Sequence, residues 1–205
     1  DYVVKAFDRA DKYRMPAMIL ADGLLGQMME PVTFPEINPD AYDKSGWAAN
    51  GHKNKREHHI INSLYLKPDE LEKSIVDRFK KYDIIKETET EAELYLTEDC
   101  DILLCAFGAT ARVVKSAVNS ARELGIKAGL FRPKTLWPFP VKEINEAAKN
   151  AKCLLSVEMS MGQMVDDIKL AINCSKPVHF YGRTGGVIPT PVEVLEEIKK
   201  LGGAK

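Results

Sequence analysis

The sequence lacks every signature that would assign a reaction unaided. Its four cysteines, Cys100, Cys105, Cys153 and Cys174, form no CxxC pair, so the ligand spacing of a zinc or iron–sulfur site is missing. Cys105 and Cys153 lie in the apolar runs "DILLCAFG" and "KCLLSVE", where a buried thiol acts as a small hydrophobe. All four read as reduced, structural cysteines of a cytoplasmic protein. No apolar run approaches the roughly 20 residues that span a bilayer, and no charged-then-apolar segment opens the chain as a signal peptide would. The net charge of −1 gives no field to draw in nucleic acid or an anionic membrane. Neither GxGxxG nor a Walker loop occurs, and no Ser–His–Asp order or carboxylate pair stands out.

What is present is ordinary globular composition: 205 residues, 45% hydrophobic and 29% charged, enough for one full domain and a piece of another. The chain opens on Asp1 rather than Met, which reads as a fragment of a longer polypeptide. Val3, Val4, Phe7 and Ala10 recur at helical spacing, and Pro16 then opens "AMILAD", a short apolar run suited to a buried strand. This isolated pair is too small to fold alone and reads as the closing edge of a domain. Residues 35–66 hold Pro, Gly and Asn with no sustained period and read as a linker. Within it "GHKNKREHHI" gathers His52, His58 and His59, but without helical i, i+4 spacing or a cysteine partner it reads as a solvated basic turn. An amphipathic helix over 67–85 follows, with Leu71, Ile75, Phe79 and Tyr82 on one face. An edge strand around Leu94–Leu96 lies in the acidic tract.

From Asp101 the pattern is regular. Strands "DILLCAF", "KAGLFRP", "KCLLSVE" and "PVHFYG" each precede a helical run, which predicts a three-layer α/β/α domain with a mostly parallel sheet and right-handed crossovers. Ligands in such sheets collect beyond the carboxyl ends of the strands, so four loops are candidates. "CAFGATAR" carries Gly108 and Thr110, the latter a candidate helix cap, at a helix start that could receive a phosphate; a tight turn explains it equally. "VEMSMGQMVDD" puts Glu158 at a strand end, within reach of solvent or a neighbour, and makes it the best ionisable candidate. Ser160 and Gln163 there have capping-box spacing. "YGRTGGVIPTPVEV" offers Gly185 and Gly186 as a phosphate cradle without a recognised spacing, and Arg183 as a partner for an anion or adjoining chain. Its Thr190, Pro191 and Glu193 read as N-cap, first-turn proline and capping-box acid. "RPKTLWPFP" holds Trp137 and Phe139 extended before prolines. It has the character of a rigid packing corner or interface.

Taken in order, "PAMILADGLLGQMMEPV", "DILLCAFGATARVVKSAVNSARELGIKAGLFRPKTLWPFP", "LLSVEMSMGQMVDDIKLAI" and "FYGRTGGVIPTPVEVLEEI" resemble the alpha subunit of 2-oxoacid:ferredoxin oxidoreductases, of the type acting on 3-methyl-2-oxobutanoate or 2-oxoglutarate. The resemblance implies residues 1–36 as the C-terminal edge of a thiamine diphosphate-fold pyrimidine domain, 37–95 as a linker with its amphipathic helix, and 96–205 as a transketolase C-terminal-like domain. It implies oxidative decarboxylation of a 2-oxo acid to acyl-coenzyme A and CO2 with reduction of ferredoxin, in anaerobic metabolism. Thiamine diphosphate and Mg are implied at the level of the complex and iron–sulfur clusters on partner subunits, with none bound to this fragment alone. The implied partners are a beta subunit, small ferredoxin-like or gamma subunits and ferredoxin, with a homodimer possible and neither nucleic acid nor membrane involved. The family's "YPITP"-type motif and its thiamine-activating glutamate are absent, so the fragment is expected to be inactive alone. Asp22 and Gly23 would then lie nearest the active-site mouth, while Trp137, Phe139, Gln163 and Arg183 would hold the domain against its neighbours. A flavodoxin-like module binding a nucleotide or coenzyme A at "GRTGG" or "FGAT", and a non-catalytic interaction domain, are the competing readings.

Overall fold

The computed structural model describes residues 1–38 and 41–202 and divides the chain into two units, Asp1–Asp83 and Ile84–Lys205. The first holds helix α1 (Tyr2–Tyr13), a 3-10 turn at Leu25–Gln27 and most of α2 (Pro68–Thr88). The α1 period predicted from Val3, Val4, Phe7 and Ala10 is present, and Arg14 ends the helix in the left-handed conformation. The strand expected at "AMILAD" is not formed. A strand exists only through its ladder; residues 17–22 join none, and Met18 and Leu20 stand exposed. The helix expected over 67–85 forms over Pro68–Thr88, yet Leu71, Ile75 and Phe79 on its apolar face remain exposed. No described residue of the first unit is fully buried.

The second unit carries the regular pattern. Strands β1 (Ala92–Tyr95), β2 (Ile102–Cys105), β3 (Ala128–Pro133), β4 (Cys153–Glu158) and β5 (Val178–Gly182) make one sheet in the order β1-β3-β2-β4-β5. β1 pairs antiparallel to β3, with Ala92 opposite Pro133, and every other pairing is parallel. Helices α3 (Gly108–Glu123), α4 (Val141–Ala147), α5 (Met164–Ala171) and α6 (Pro191–Gly202) follow the parallel strands in turn. α3 and α6 contribute Val114, Val118, Val194 and Ile198 to one core, with Leu104 and Leu130 from the sheet. Ile144 of α4 and Ile168 of α5 pack with Leu103, Phe131 and Leu154 on the opposite face. The predicted three-layer architecture is therefore present.

Alternate layers explain why the strands read as continuous apolar runs: β2 is buried along its whole length because both of its faces are covered. On α3 the stripe Ala111, Val114, Ala117, Val118 and Ala121 faces the sheet. Its small residues allow close approach while the branched ones fill the remaining space. α4 is shorter than the run that predicted it. It stops at Ala147, and the Lys176 ammonium donates to the carbonyl oxygens of Ala148, Lys149 and Ala151 just beyond, a cation placed at the negative end of a helix.

Candidate functional site

The chain leaves β2 toward β3 on one side and returns by α4 to β4 on the other. The crevice between the carboxyl ends of β2 and β4 is therefore the topological switch point, where open α/β sheets place ligands. Ala106–Gly108 and Met159–Gln163 flank it.

Glu158 governs the second of these loops. Only 3% of its surface is exposed, which corrects the expectation that it reaches solvent or a neighbouring chain. Oε1 accepts from Ser156 Oγ at 2.8 Å and from the Val165 amide at 2.9 Å. Oε2 accepts from Ser160 Oγ at 2.8 Å and from the amides of Gln163 and Met164 at 3.0 and 3.1 Å. Burial, the largest single influence, pushes this carboxyl upward, but the hydrogen bonds together outweigh it and hold it below the usual carboxylate range. Ser160 and Gln163 do not form the expected capping box. Ser160 instead accepts from the Gly162 amide at 3.1 Å, and the cap of α5 is Glu158 itself, reaching in from the strand before the loop. A full negative charge fits the positive end of that helix better than a hydroxyl does.

Thr110 likewise is not a cap. α3 begins at Gly108, three residues earlier than a Thr110 cap requires, with Phe107 at the cap position and no side-chain cap bond. Thr110 is buried inside the first turn. Gly108 has φ 60°, a left-handed conformation that glycine adopts at little cost as the strand turns into the helix.

In the loop between β5 and α6 the capping box is formed as predicted. The Glu193 amide donates to Thr190 Oγ1 at 3.2 Å, and the Thr190 amide donates to Glu193 Oε2 at 2.8 Å. Arg183 is not waiting for an outside anion: its guanidinium donates to Glu193 Oε1 at 2.9 Å. Gly185 and Gly186, at φ 64° and 84°, face open space. Thr190→Ala is expected to lower stability by about 1 kcal/mol, read as a shift of the urea midpoint at unchanged slope.

In the loop between β3 and α4 the two aromatics part company. Phe139 packs on the core with its ring centroid 6.1 Å from that of Phe131, so it is a wedge rather than an outward contact. Trp137 stays 54% exposed. The alternating prolines point neighbouring side chains in different directions, and the sequence alone did not say which would find the core. Gln163 is also exposed. Asp22 belongs to the first unit, where its Oδ1 accepts from the Leu25 amide at 2.8 Å and starts the 3-10 turn, with Gly23 beside it.

Sequence reasoning missed Ser156, fully buried and bonded to Glu158, and the close approach at Gly182. A Cβ there would meet Phe180 Cζ and the Ser160 carbonyl oxygen, each at 2.4 Å. The Ser–x–Glu–x–Ser spacing of 156–160 was the available signal.

Among the described residues the buried cysteines are poor metal or cluster ligands. Burial pushes the Cys100 thiol up to about 11 and the Cys105 thiol further still, so neither offers a thiolate at neutral pH. Cys153 is also raised, burial again being the main cause. Among the described residues no group of three His, Cys, Asp or Glu side chains could hold a metal ion. In the basic turn, the His52 and His58 rings stack with centroids 4.0 Å apart, and His59 Nδ1 bonds the Ala48 carbonyl oxygen at 2.9 Å. No described helix is long and apolar enough to cross a membrane.

Fold and loops together define a doubly wound α/β domain whose strand-end loops are closed mostly by their own capping groups. Residues 100–194 match the family model of pyruvate:ferredoxin oxidoreductase core domain II. A ketoisovalerate oxidoreductase subunit VorB from Methanothermobacter marburgensis is 42% identical over 99% of this chain and 57% of its own length. A 2-oxoglutarate synthase subunit KorA from the same organism is 29% identical over 97% of this chain and 60% of its own length. The solved 2-oxoglutarate:ferredoxin oxidoreductase from Magnetococcus marinus, with 2-oxoglutarate, coenzyme A and succinyl-CoA bound, superposes with a TM-score of 0.71 over 93% of this chain and 38% of that one, at 22% identity. The chain belongs to the 2-oxoacid:ferredoxin oxidoreductase subunit family, and it spans 57% of the first relative's length.

Proposed function

We propose that this chain is part of the alpha subunit of an enzyme that oxidatively decarboxylates a 2-oxo acid, passing the acyl group to coenzyme A and the electrons, one at a time, to ferredoxin. The observation that carries this reading is the similarity to the ketoisovalerate oxidoreductase subunit along 99% of the chain, at 42% identity. The lower 29% to the 2-oxoglutarate subunit favours a 2-oxo acid with a branched, uncharged side chain as substrate. Thiamine diphosphate would supply the carbanion stabilisation that decarboxylation requires. The described residues do not furnish its site, so we assign that group, its Mg and the iron–sulfur clusters to other parts of the assembly, and derive no step through them here. Residues 1–36 are read as the edge of a pyrimidine-binding domain, which would give the run "AMILAD" a ladder and bring Asp22 and Gly23 toward the active-site mouth. Residues 37–95 are read as a linker and 96–205 as the transketolase C-terminal-like domain.

In this reading the second unit supplies a rigid docking body rather than reacting groups. Trp137, held between Leu136 and Pro138 on a fixed arm, is its anchor, because a large pre-ordered aromatic gains contact area at small entropic cost. Trp137→Ala is expected to weaken subunit assembly by about tenfold or more, while turnover per assembled enzyme is unchanged. Gel filtration combined with activity per mole of complex separates the two. Purifying the native assembly through this chain tests the whole reading. Co-purification of a second polypeptide with thiamine diphosphate and iron–sulfur absorbance is expected, and a homogeneous assembly carrying neither would overturn it.

A further inference from the structure

The basic turn "GHKNKREHHI" takes no part in the function proposed above. Its first residue follows Asn50 and makes the one Asn–Gly pair of the sequence, Asn50–Gly51. Both residues are exposed. Arg56 organises this turn. Its Nη2 donates to the Ala48 carbonyl oxygen at 3.1 Å, to Asn50 Oδ1 at 3.1 Å and to the Gly51 carbonyl oxygen at 3.2 Å. Its Nη1 donates to the Glu57 carbonyl oxygen at 2.9 Å. A guanidinium can only donate, so the carboxamide oxygen of Asn50 is turned to Arg56 and the NH2 group points away. No described backbone acceptor takes up the Gly51 amide, and glycine brings no Cβ to shield that nitrogen.

We propose that Asn50–Gly51 is a self-modifying site, at which the chain converts Asn50 to an acid without a second enzyme. The Gly51 nitrogen, on losing its proton to a solvent base, attacks Asn50 Cγ. An N–Cγ bond forms, the Cγ–Nδ2 bond breaks, and Nδ2 leaves as ammonia with a proton from solvent, which closes a five-membered succinimide. Water then adds to one of the two ring carbonyls and opens the ring to aspartate or isoaspartate, with no change of oxidation state. Negative charge gathers on Oδ1 as Cγ becomes tetrahedral. The Arg56 guanidinium already stands against that atom, where a fixed donor favours the step. The product adds one negative charge to the chain's net −1 and sets a carboxylate beside Arg56. The conversion follows from this turn alone and does not depend on the reaction proposed above.

The test is to age the native assembly isolated through this chain at neutral and mildly alkaline pH, digest it, and weigh its peptides against an unaged sample. The peptide holding residue 50 is expected to gain the mass of OH in place of NH2 and to separate into aspartate and isoaspartate forms. It should do so faster as pH rises, while the peptides holding Asn54 and Asn62 change far less. Asn50→Gln keeps an amide for Arg56 but cannot close the five-membered ring, and is expected to stay unchanged over the same period. Arg56→Ala is expected to slow the conversion about fivefold, the worth of one net hydrogen bond. Asn50 retained as asparagine in the aged wild type overturns the proposal. An Arg56→Ala chain that converts as fast as the wild type overturns the part assigned to Arg56.

Discussion

Glu158→Ala is expected to destabilise the second unit by about 3–4 kcal/mol, near the upper end for a single substitution. The carboxylate is buried and accepts five hydrogen bonds: two from serine hydroxyls and three from the first amides of α5. Alanine removes all five acceptor contacts, and the Ser156 hydroxyl, with no exposed surface, is left without this partner in the core. Glu158→Gln separates charge from shape, because its amide keeps one acceptor oxygen but turns an NH2 group toward donors. The pH dependence carries a second signature. The native state holds this carboxyl below its ordinary value, so the folded chain binds the proton more weakly than the unfolded chain. The contribution is complete above the unfolded pKa of about 4.3 and is lost as pH falls through the lower folded value. Urea midpoints of the wild type should therefore decline over this acid window, and the glutamine variant should lack that share of the decline. Equal slopes in the two proteins would refute the role assigned to the charge.

Gly129→Ala is expected to cost about 3 kcal/mol, the upper end for overpacking a core. Gly129 lies in the middle of β3 with Leu103 of β2 as its register partner. A Cβ there would stand 2.5 Å from the Leu96 carbonyl oxygen and 3.0 Å from Cys100 Cβ. Neither can withdraw easily. Leu96 O already accepts from an Arg122 guanidinium nitrogen at 2.8 Å, and Cys100 is fully buried. The added methyl must displace backbone, shifting the segment that joins β1 to β2. Thermal unfolding of the variant should show a large fall in Tm, and a wild-type midpoint would mean that Leu96 does not approach β3 so closely.

The β–α alternation from Asp101 was legible because short continuous apolar runs and period-3.6 runs follow each other with glycine and proline between them, and local pattern and tertiary burial agree there. The helices α1 and α2 were legible from their helical period alone, with almost no burial to support it. "AMILAD" has the composition of a strand, but composition cannot supply a neighbour, and only a ladder makes a strand. At the candidate site, Thr190 and Glu193 were readable because a capping box lies within four consecutive residues. Glu158 was singled out as an ionisable group but misplaced toward solvent, since its partners include amides five to seven residues away across a loop that only the fold closes. Arg183 failed similarly: its carboxylate partner lies ten positions on. Thr110 was misread by a shift of three residues in the helix start. Trp137 and Phe139 were identified together, and the orientation of each then depended on which faced Phe131.

The role proposed for this chain is inside a 2-oxoacid:ferredoxin oxidoreductase. The measurement that tests it most directly is dye reduction by the native assembly isolated through this chain, with a viologen as electron acceptor and 3-methyl-2-oxobutanoate, 2-oxoglutarate or pyruvate offered in turn. Reduction that requires both a 2-oxo acid and coenzyme A, fastest with the branched acid, is the predicted result. A pure, intact assembly that reduces no dye with any of these acids would contradict the claim.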